Sequence, residues 1–196
     1  MIYPASYDIT ILQNSSWQAS LRATDNRQSL SSVIVSSGLA TFIKPCHKLL
    51  AGDKVVLTAD TGAAVPCGLN LNEVYFVRAS GLTGDSFKLS TTISGAEISV
   101  SGTASGQYYA ANPVNLTGYI IDADIFSVLD GLQAATFVCT TPDPENGLIS
   151  VSMGPSVSSG IAPGSYHYDL SFTSSGGERY YWLSGLVTVQ RTYSRN

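Results

Sequence analysis

The segment Gly164–Gln190 constrains the fold most. Tyr166, Tyr168, Leu170 and Phe172 alternate with small or polar residues, the period of two expected of a strand with one buried face. Ser174-Ser175-Gly176-Gly177 then supplies residues that tolerate a chain reversal. The return strand places Tyr181, Leu183, Val187 and Val189 on one face, with Tyr180 and Trp182 on the other. Gly185 interrupts the apolar row, which predicts a bulge or a close backbone approach. A hairpin with one apolar face is not stable alone in water, so other strands must cover it.

Those strands come in two blocks. Tyr7, Ile9 and Ile11 alternate against Asp8 and Thr10; after a turn at Gln13–Ser16, Trp17, Ala19, Leu21 and Ala23 resume the pattern. Thr24-Asp25-Asn26-Arg27 reads as a turn that ends this strand. Much later, Ile121, Ala123 and Ile125 share one face and Asp122 and Asp124 the other. Gln133–Thr140 alternates Ala135, Phe137 and Cys139, and Gly147–Met153 makes another strand. Pro142, Pro144, Pro155 and Pro163 fall between elements, where a missing amide proton costs nothing. Seven strands in two groups predict an all-β chain: an Ig-like antiparallel β-sandwich built from residues 1–29 and 111–196.

Residues 30–110 have a different texture. Short apolar runs such as Val33–Val35, Ala40–Ile43, Lys54–Thr58, Val74–Val77, Ser86–Ser90 and Glu97–Val100 are separated by glycine-bounded turns. This length suffices for a small core of its own, so the segment is predicted to be an inserted small β-barrel-like domain. No segment has a helical period, and residues 126–132 have room for a single turn.

Charged residues make up only 12% of the chain and the net charge is -4. No basic field exists to hold nucleic acid, which is excluded as an expected partner. No apolar run approaches the length of a bilayer crossing, and no secretion signal follows Met1, so no membrane association is expected. A charge-poor surface suits a protein partly covered by partners.

The side chains that could carry chemistry are few. Three cysteines, Cys46, Cys67 and Cys139, are spaced like no zinc site; buried reduced thiols are expected, with a Cys46–Cys67 disulfide as the open alternative. His47 and His167 have no adjacent nucleophile arranged for catalysis, and Cys46 and His47, as neighbours, point to opposite faces. Asp122 and Asp124, with Asp130 at a following turn, lack calcium-loop spacing and read as a solvated outer face. The sequons at Asn14 and Asn115 are chance matches in a chain without a secretion signal. No catalytic, cofactor-binding or metal-ligating residue is therefore expected, and the chain is not expected to be an enzyme. The candidate partner interface is aromatic: Tyr108, Tyr109, Tyr180 and Trp182, residue types favoured where proteins meet. Tyr108 and Tyr109 could equally make contacts within the chain.

Several phrases are similar to those of one family. Tyr7-Asp-Ile-Thr-Ile, Pro113-Val-Asn-Leu-Thr-Gly-Tyr119, Gly147-Leu-Ile-Ser-Val, Gly164-Ser-Tyr-His-Tyr-Asp-Leu170 and Gly185-Leu-Val-Thr-Val189, in that order, resemble tailed-bacteriophage virion proteins with an Ig-like sandwich. Asn115 stands where their turn usually has Asp. His47-Lys-Leu-Leu-Ala-Gly-Asp-Lys-Val55 and Asp85-Ser-Phe-Lys-Leu89 are similar to a small β module of phage structural proteins, with Lys48 replacing a glycine. The resemblance covers nearly the whole chain and consists of turn-and-strand phrases. It implies a non-enzymatic virion component, assembled in the host cytoplasm and docked on the particle as head decoration (cement) or as a neck, tail or baseplate accessory. Its partners would be other virion structural proteins, with the chain a homo-oligomer or present in many copies in a symmetric assembly. The alternative is an adhesin module that binds host-surface glycans through exposed aromatics.

Overall fold

The computed structural model describes residues 5–192. The chain is all-β, with four sheets among those residues. In chain order the strands are β1 (Ala5–Ser6), β2 (Ile9–Leu12), β3 (Trp17–Arg22), β4 (Thr24–Ser29), β5 (Ser32–Ser36) and β6 (Leu39–Ile43). Next come β7 (Lys54–Ala59), β8 (Val74–Val77), β9 (Ser86–Phe87), β10 (Leu89–Ser90) and β11 (Tyr108–Pro113). The remainder holds β12 (Ile120–Ser127), β13 (Gln133–Thr136), β14 (Val138–Asp143), β15 (Leu148–Met153), β16 (Gly164–Thr173) and β17 (Arg179–Gln190). A 3-10 turn at Pro144–Asn146 precedes β15, and a short helix, α1 (Pro155–Gly160), follows it. Two compact units result: one from the residues up to Leu21 with those from Leu116 onward, the other from Arg22–Asn115.

The first unit has two sheets. One runs β13-β12-β16-β17 and adds β1 and β2 beyond β17; the other runs β14-β15-β3. The alternation expected of the last hairpin is present: Tyr168, Leu170 and Phe172 on β16 and Leu183, Val187 and Val189 on β17 are buried. Ile9 and Ile11 join them, because β2 pairs in parallel with β17 and Ile9 lies opposite Val187. Both ends of the described chain therefore close over one apolar interior.

Two local irregularities shape this unit. On β17 the register passes from Leu170 opposite Leu183 to Ser171 opposite Tyr181, leaving Trp182 as the extra residue of a bulge. The bulge reverses the facing order, so Tyr181, expected on the buried face, is exposed, while the Trp182 ring stacks on Phe172 at 5.4 Å. The bulge is thus at Trp182, and Gly185 serves the other purpose. A methyl group at Gly185 would run into the Tyr7 carbonyl where β1 passes into β2.

The second irregularity lies in Gln133–Thr140, expected as one strand. It divides at Phe137: β13 stays in the first sheet and β14 crosses into the second. Phe137 N–H donates to the Ala123 carbonyl (2.9 Å), and its buried ring lies 5.3 Å from Trp17 and 6.0 Å from Tyr168. That row of three rings ties the sheets together.

The Tyr168 phenol donates to the Tyr7 carbonyl at 2.7 Å, and the Asp8 carboxylate accepts the Leu186 N–H at 2.9 Å. Burial pushes the Tyr168 phenol far above the ordinary tyrosine range, with Tyr7, Asp8 and Asp169 adding to the shift. A raised phenol pKa favours the neutral folded form. Its contribution is whole below about pH 10 and is lost as pH rises further. Chemical denaturation at stepped alkaline pH is expected to show stability falling above that point in the wild type. The Tyr168→Phe variant, less stable at neutral pH by about 1–3 kcal/mol, is expected to show a shallower fall.

The second unit, Arg22–Asn115, differs at both borders from the expected 30–110. Thr24–Arg27, expected as a strand-ending turn, instead opens strand β4, which pairs with β11 across Ser29–Tyr109 and Thr24–Pro113. The unit's sheets run β10-β8-β7-β11-β4 and β5-β6-β9. Their inner residues, among them Phe42, Val55, Leu57, Phe87 and Leu89, form one buried cluster. Glu97–Val100, expected as a strand, makes only isolated bridges, including Ser90–Glu97.

Candidate functional site

The turn phrase His47–Val55 is built residue by residue. Cys46 and Lys48 both adopt left-handed backbone, with φ of 55° and 59°, and Gly52 follows at 91°. His47, buried between them, accepts the Leu49 N–H at Nδ1 (2.9 Å). Its Nε2 lies 3.3 Å from the Ser86 carbonyl, so the neutral tautomer donates from Nε2. The imidazole also meets Phe87 edge-on at 5.3 Å. Asp53 accepts the Leu50 N–H (2.7 Å), and the Gly52 N–H donates to Val77 (2.8 Å). Every hydrogen-bonding atom of this imidazole has a structural partner. His167, exposed on the outer face of β16, lies opposite Phe126 and Leu186.

The four aromatic interface candidates do not form one surface. Tyr108 is buried in the core of the second unit, on the inner face of β11, and its hydroxyl donates to the Ala64 carbonyl. The strand pleat turns it inward, so its ring presents no surface to a partner. Tyr109, on the opposite face, carries the Arg27 guanidinium 3.6 Å above its ring and bonds Asp60 at 3.2 Å. In the first unit Tyr180 is half exposed and donates to Glu178 at 2.6 Å, while Trp182 is half-buried against Phe172.

The most exposed large apolar side chain of the first unit lies elsewhere. Residues Ser127–Leu132 turn from β12 to β13, and at this tip Leu129 is 97% exposed, Leu132 66% and Val128 50%. The tip is ordered by its own polar groups. Ser127 N–H donates to the Leu132 carbonyl (2.8 Å), Gly131 N–H to Ser127 (3.0 Å), and the Asp130 carboxylate accepts the Leu132 N–H (3.1 Å). That backbone bond, followed by one from Ser127, holds the Asp130 carboxyl below its usual range. Beside the tip is a cleft of about 280 Å³ reaching Ile161 and Tyr166. Exposed aliphatic side chains grouped at one turn mark a candidate contact surface.

Charge is distributed unevenly. Between Lys88 and Arg179 the sequence has no lysine or arginine. Asp122 and Asp124 occupy the outer face as expected, and Asp124 accepts from Gln133 (2.9 Å) and Thr136 (2.8 Å). The second unit holds a different group: Arg78 and Lys88 both reach Glu97, at 3.1 and 3.0 Å, two cations on one carboxylate. Beside Arg78 opens a cleft of about 350 Å³ walled by Gly52, Val77, Ile93 and Gly95. Ile93 is 66% exposed, and its Cδ1 lies 3.8 Å from where a Gly52 side chain would begin.

All three cysteines are free. Cys46 and Cys67, expected to be buried, are exposed: Cys46 sits in a turn and Cys67 in an isolated bridge to Ser101, both outside the named strands. Cys139 is half-buried, and its thiol is pushed up to about 11 by burial, with Asp122 and Asp124 adding to it. A thiol reagent at pH 8 is therefore expected to modify Cys46 and Cys67 quickly and Cys139 slowly, its rate rising as pH approaches 11. Mass mapping of the labelled peptides checks the order. Among the described residues no group of three or more His, Cys, Asp or Glu side chains is placed to hold a metal ion.

The aliphatic tip is the surface that sequence reasoning missed. Its only signal was an Asp-Gly turn flanked by Val128, Leu129 and Leu132 outside any strand period. Comparison with models of known protein families finds no match for this chain, and comparison with curated proteins finds none.

Proposed function

We propose that the protein is a non-enzymatic structural component of a bacteriophage virion, docked on the particle through protein–protein contacts as head decoration or as a neck, tail or baseplate accessory. The observation that carries this reading is the geometry of the His47–Val55 turn. The phage phrase has glycine where Lys48 stands, and Lys48 has a φ of 59°, the left-handed backbone glycine adopts freely. Histidine, aspartate and the second glycine of the phrase each meet one backbone need of the same turn. The resemblance therefore rests on residues with physical tasks.

The first unit supports the Ig-like reading. β14, β15 and β3 neighbour one another as strands D, E and B do in an Ig sheet, and β12, β16 and β17 as C, F and G. The second unit then occupies the connection from B to C as an inserted module, at a place where Ig-like domains carry binding loops. Apolar side chains at the Ser127–Leu132 tip suit docking, since aliphatic surface held in water gains free energy when covered.

Peptide mass spectrometry of density-purified particles tests the proposal. The chain is expected among the virion proteins at a stoichiometry set by the particle's symmetry. Its absence from particles, when it is present in the infected-cell lysate, would overturn the reading. A glycan-binding adhesin is the second reading, favoured by the half-exposed, adjacent Tyr180 and Tyr181. Specific retention on a glycan array that is lost in a Tyr180→Ala, Tyr181→Ala double variant would support it instead.

A further inference from the structure

We infer that the protein associates with further copies of itself head to tail: the Val128–Leu129 tip of one copy seats in the Gly52–Ile93 cleft of the next. The two surfaces are complementary in three respects. The tip is a convex aliphatic protrusion and the cleft a concavity of about 350 Å³ with an aliphatic rim. Leu50, next in the chain to the lining residue Ala51, is itself 69% exposed.

The charges also match. Asp130 stands at the tip with Asp124 on the adjoining strand, in a unit whose described basic residues are Arg179 and Arg191 only. The cleft wall carries Arg78, which with Lys88 and Glu97 leaves one positive charge in surplus. An acidic, apolar tip and a cationic, apolar cleft attract at long range and bury aliphatic surface at short range.

The third match is one of symmetry. Tip and cleft are different patches, so each copy offers one of each, and the contact propagates into a ring or an open chain. A contact of this kind suits a protein present in many copies around a particle.

The inference rests on the multi-copy reading above, but its test is made on the purified full chain in solution. A monomeric chain that is still found in particles would sink the contact and leave the particle assignment standing. Sedimentation velocity across a concentration series is expected to show reversible association that weakens with added salt. Leu129→Asp and Ile93→Asp are each expected to weaken it by roughly tenfold to a hundredfold. Both positions are exposed, so unchanged thermal melts are expected, and Leu129→Ser and Ile93→Ser serve as milder versions. The deciding sample is an equimolar mixture of the two Asp variants. The intact tip of Ile93→Asp then meets the intact cleft of Leu129→Asp, so the mixture is expected to form dimers and stop there. A wild type that stays monomeric, an Ile93→Asp variant that associates as tightly as the wild type, or a mixture no more associated than either variant alone would each overturn the contact.

Discussion

Phe137→Ala is expected to lower the stability of the first unit by about 3–5 kcal/mol. The residue stands where the chain leaves one sheet for the other, and its ring is buried between Trp17 and Tyr168 at 5.3 and 6.0 Å. Truncation removes the transfer free energy of the ring and opens a cavity whose walls are held by both sheets. Aromatic contacts on either side add about 0.5–1.5 kcal/mol each to the loss. Phe137→Leu keeps most of the volume and is expected to cost less than half as much. Denaturant unfolding followed by tryptophan fluorescence reads the change, because Trp17 is one of the two partners. A Phe137→Ala protein as stable as the wild type would mean that this ring does not join the sheets.

Gly185→Ala is expected to be nearly as damaging, for a different reason. The added methyl meets backbone, the Tyr7 carbonyl, and no side-chain rotation relieves it. Either β17 bends or the β1–β2 segment lifts away. Lifting gives up the Tyr7 N–H bond to Ser184 (3.1 Å), the Leu186 N–H bond to Asp8 and the Tyr168 bond to Tyr7. It also exposes Ile9 and Ile11, both buried against β17. The expected cost is about 3 kcal/mol or more. Gly160→Ala, where an added methyl has nothing within 4 Å, is the control and is expected to stay within about 0.5 kcal/mol of the wild type. Thermal unfolding of the two variants side by side decides the matter.

Much of the fold is legible in the residues because one face of each main strand is apolar. Tyr168, Leu170 and Phe172 can face inward together in only one register, as can Ile121, Ala123 and Ile125, and a one-residue slip would expose them all. Legibility fails where both faces offer the same chemistry. Tyr180-Tyr181-Trp182 is aromatic at every position, so alternation expresses no preference, and the bulge at Trp182 is fixed by its stack on Phe172. Tyr108 and Tyr109 are the same residue twice. Which of them turns inward is decided by pairing with β7, where Tyr108 lies opposite Ala59 and Tyr109 opposite Thr58.

Strand β4, whose first four residues Thr24–Arg27 read as a turn, is hidden for the opposite reason. Its side chains are polar on both faces, and as an edge strand it is held by backbone bonds to β11 and not by an apolar row. Turn residues and polar edge residues look alike in one dimension. The apolar tip at Val128–Leu132 was also hidden, since three aliphatics at irregular spacing read equally well as a buried turn. Only the placed backbone distinguishes a side chain held in water from one held in a core.

The central claim is that the two ends of the described chain complete one apolar interior. Native-state hydrogen exchange at Ile11 and Val189, opposite each other in the β2–β17 ladder, tests it most directly. The account predicts that both amides open with the same free energy in the wild type and that both lose protection in Gly185→Ala. Rapid exchange at Ile11 alongside a fully protected Val189 in the wild type would contradict it.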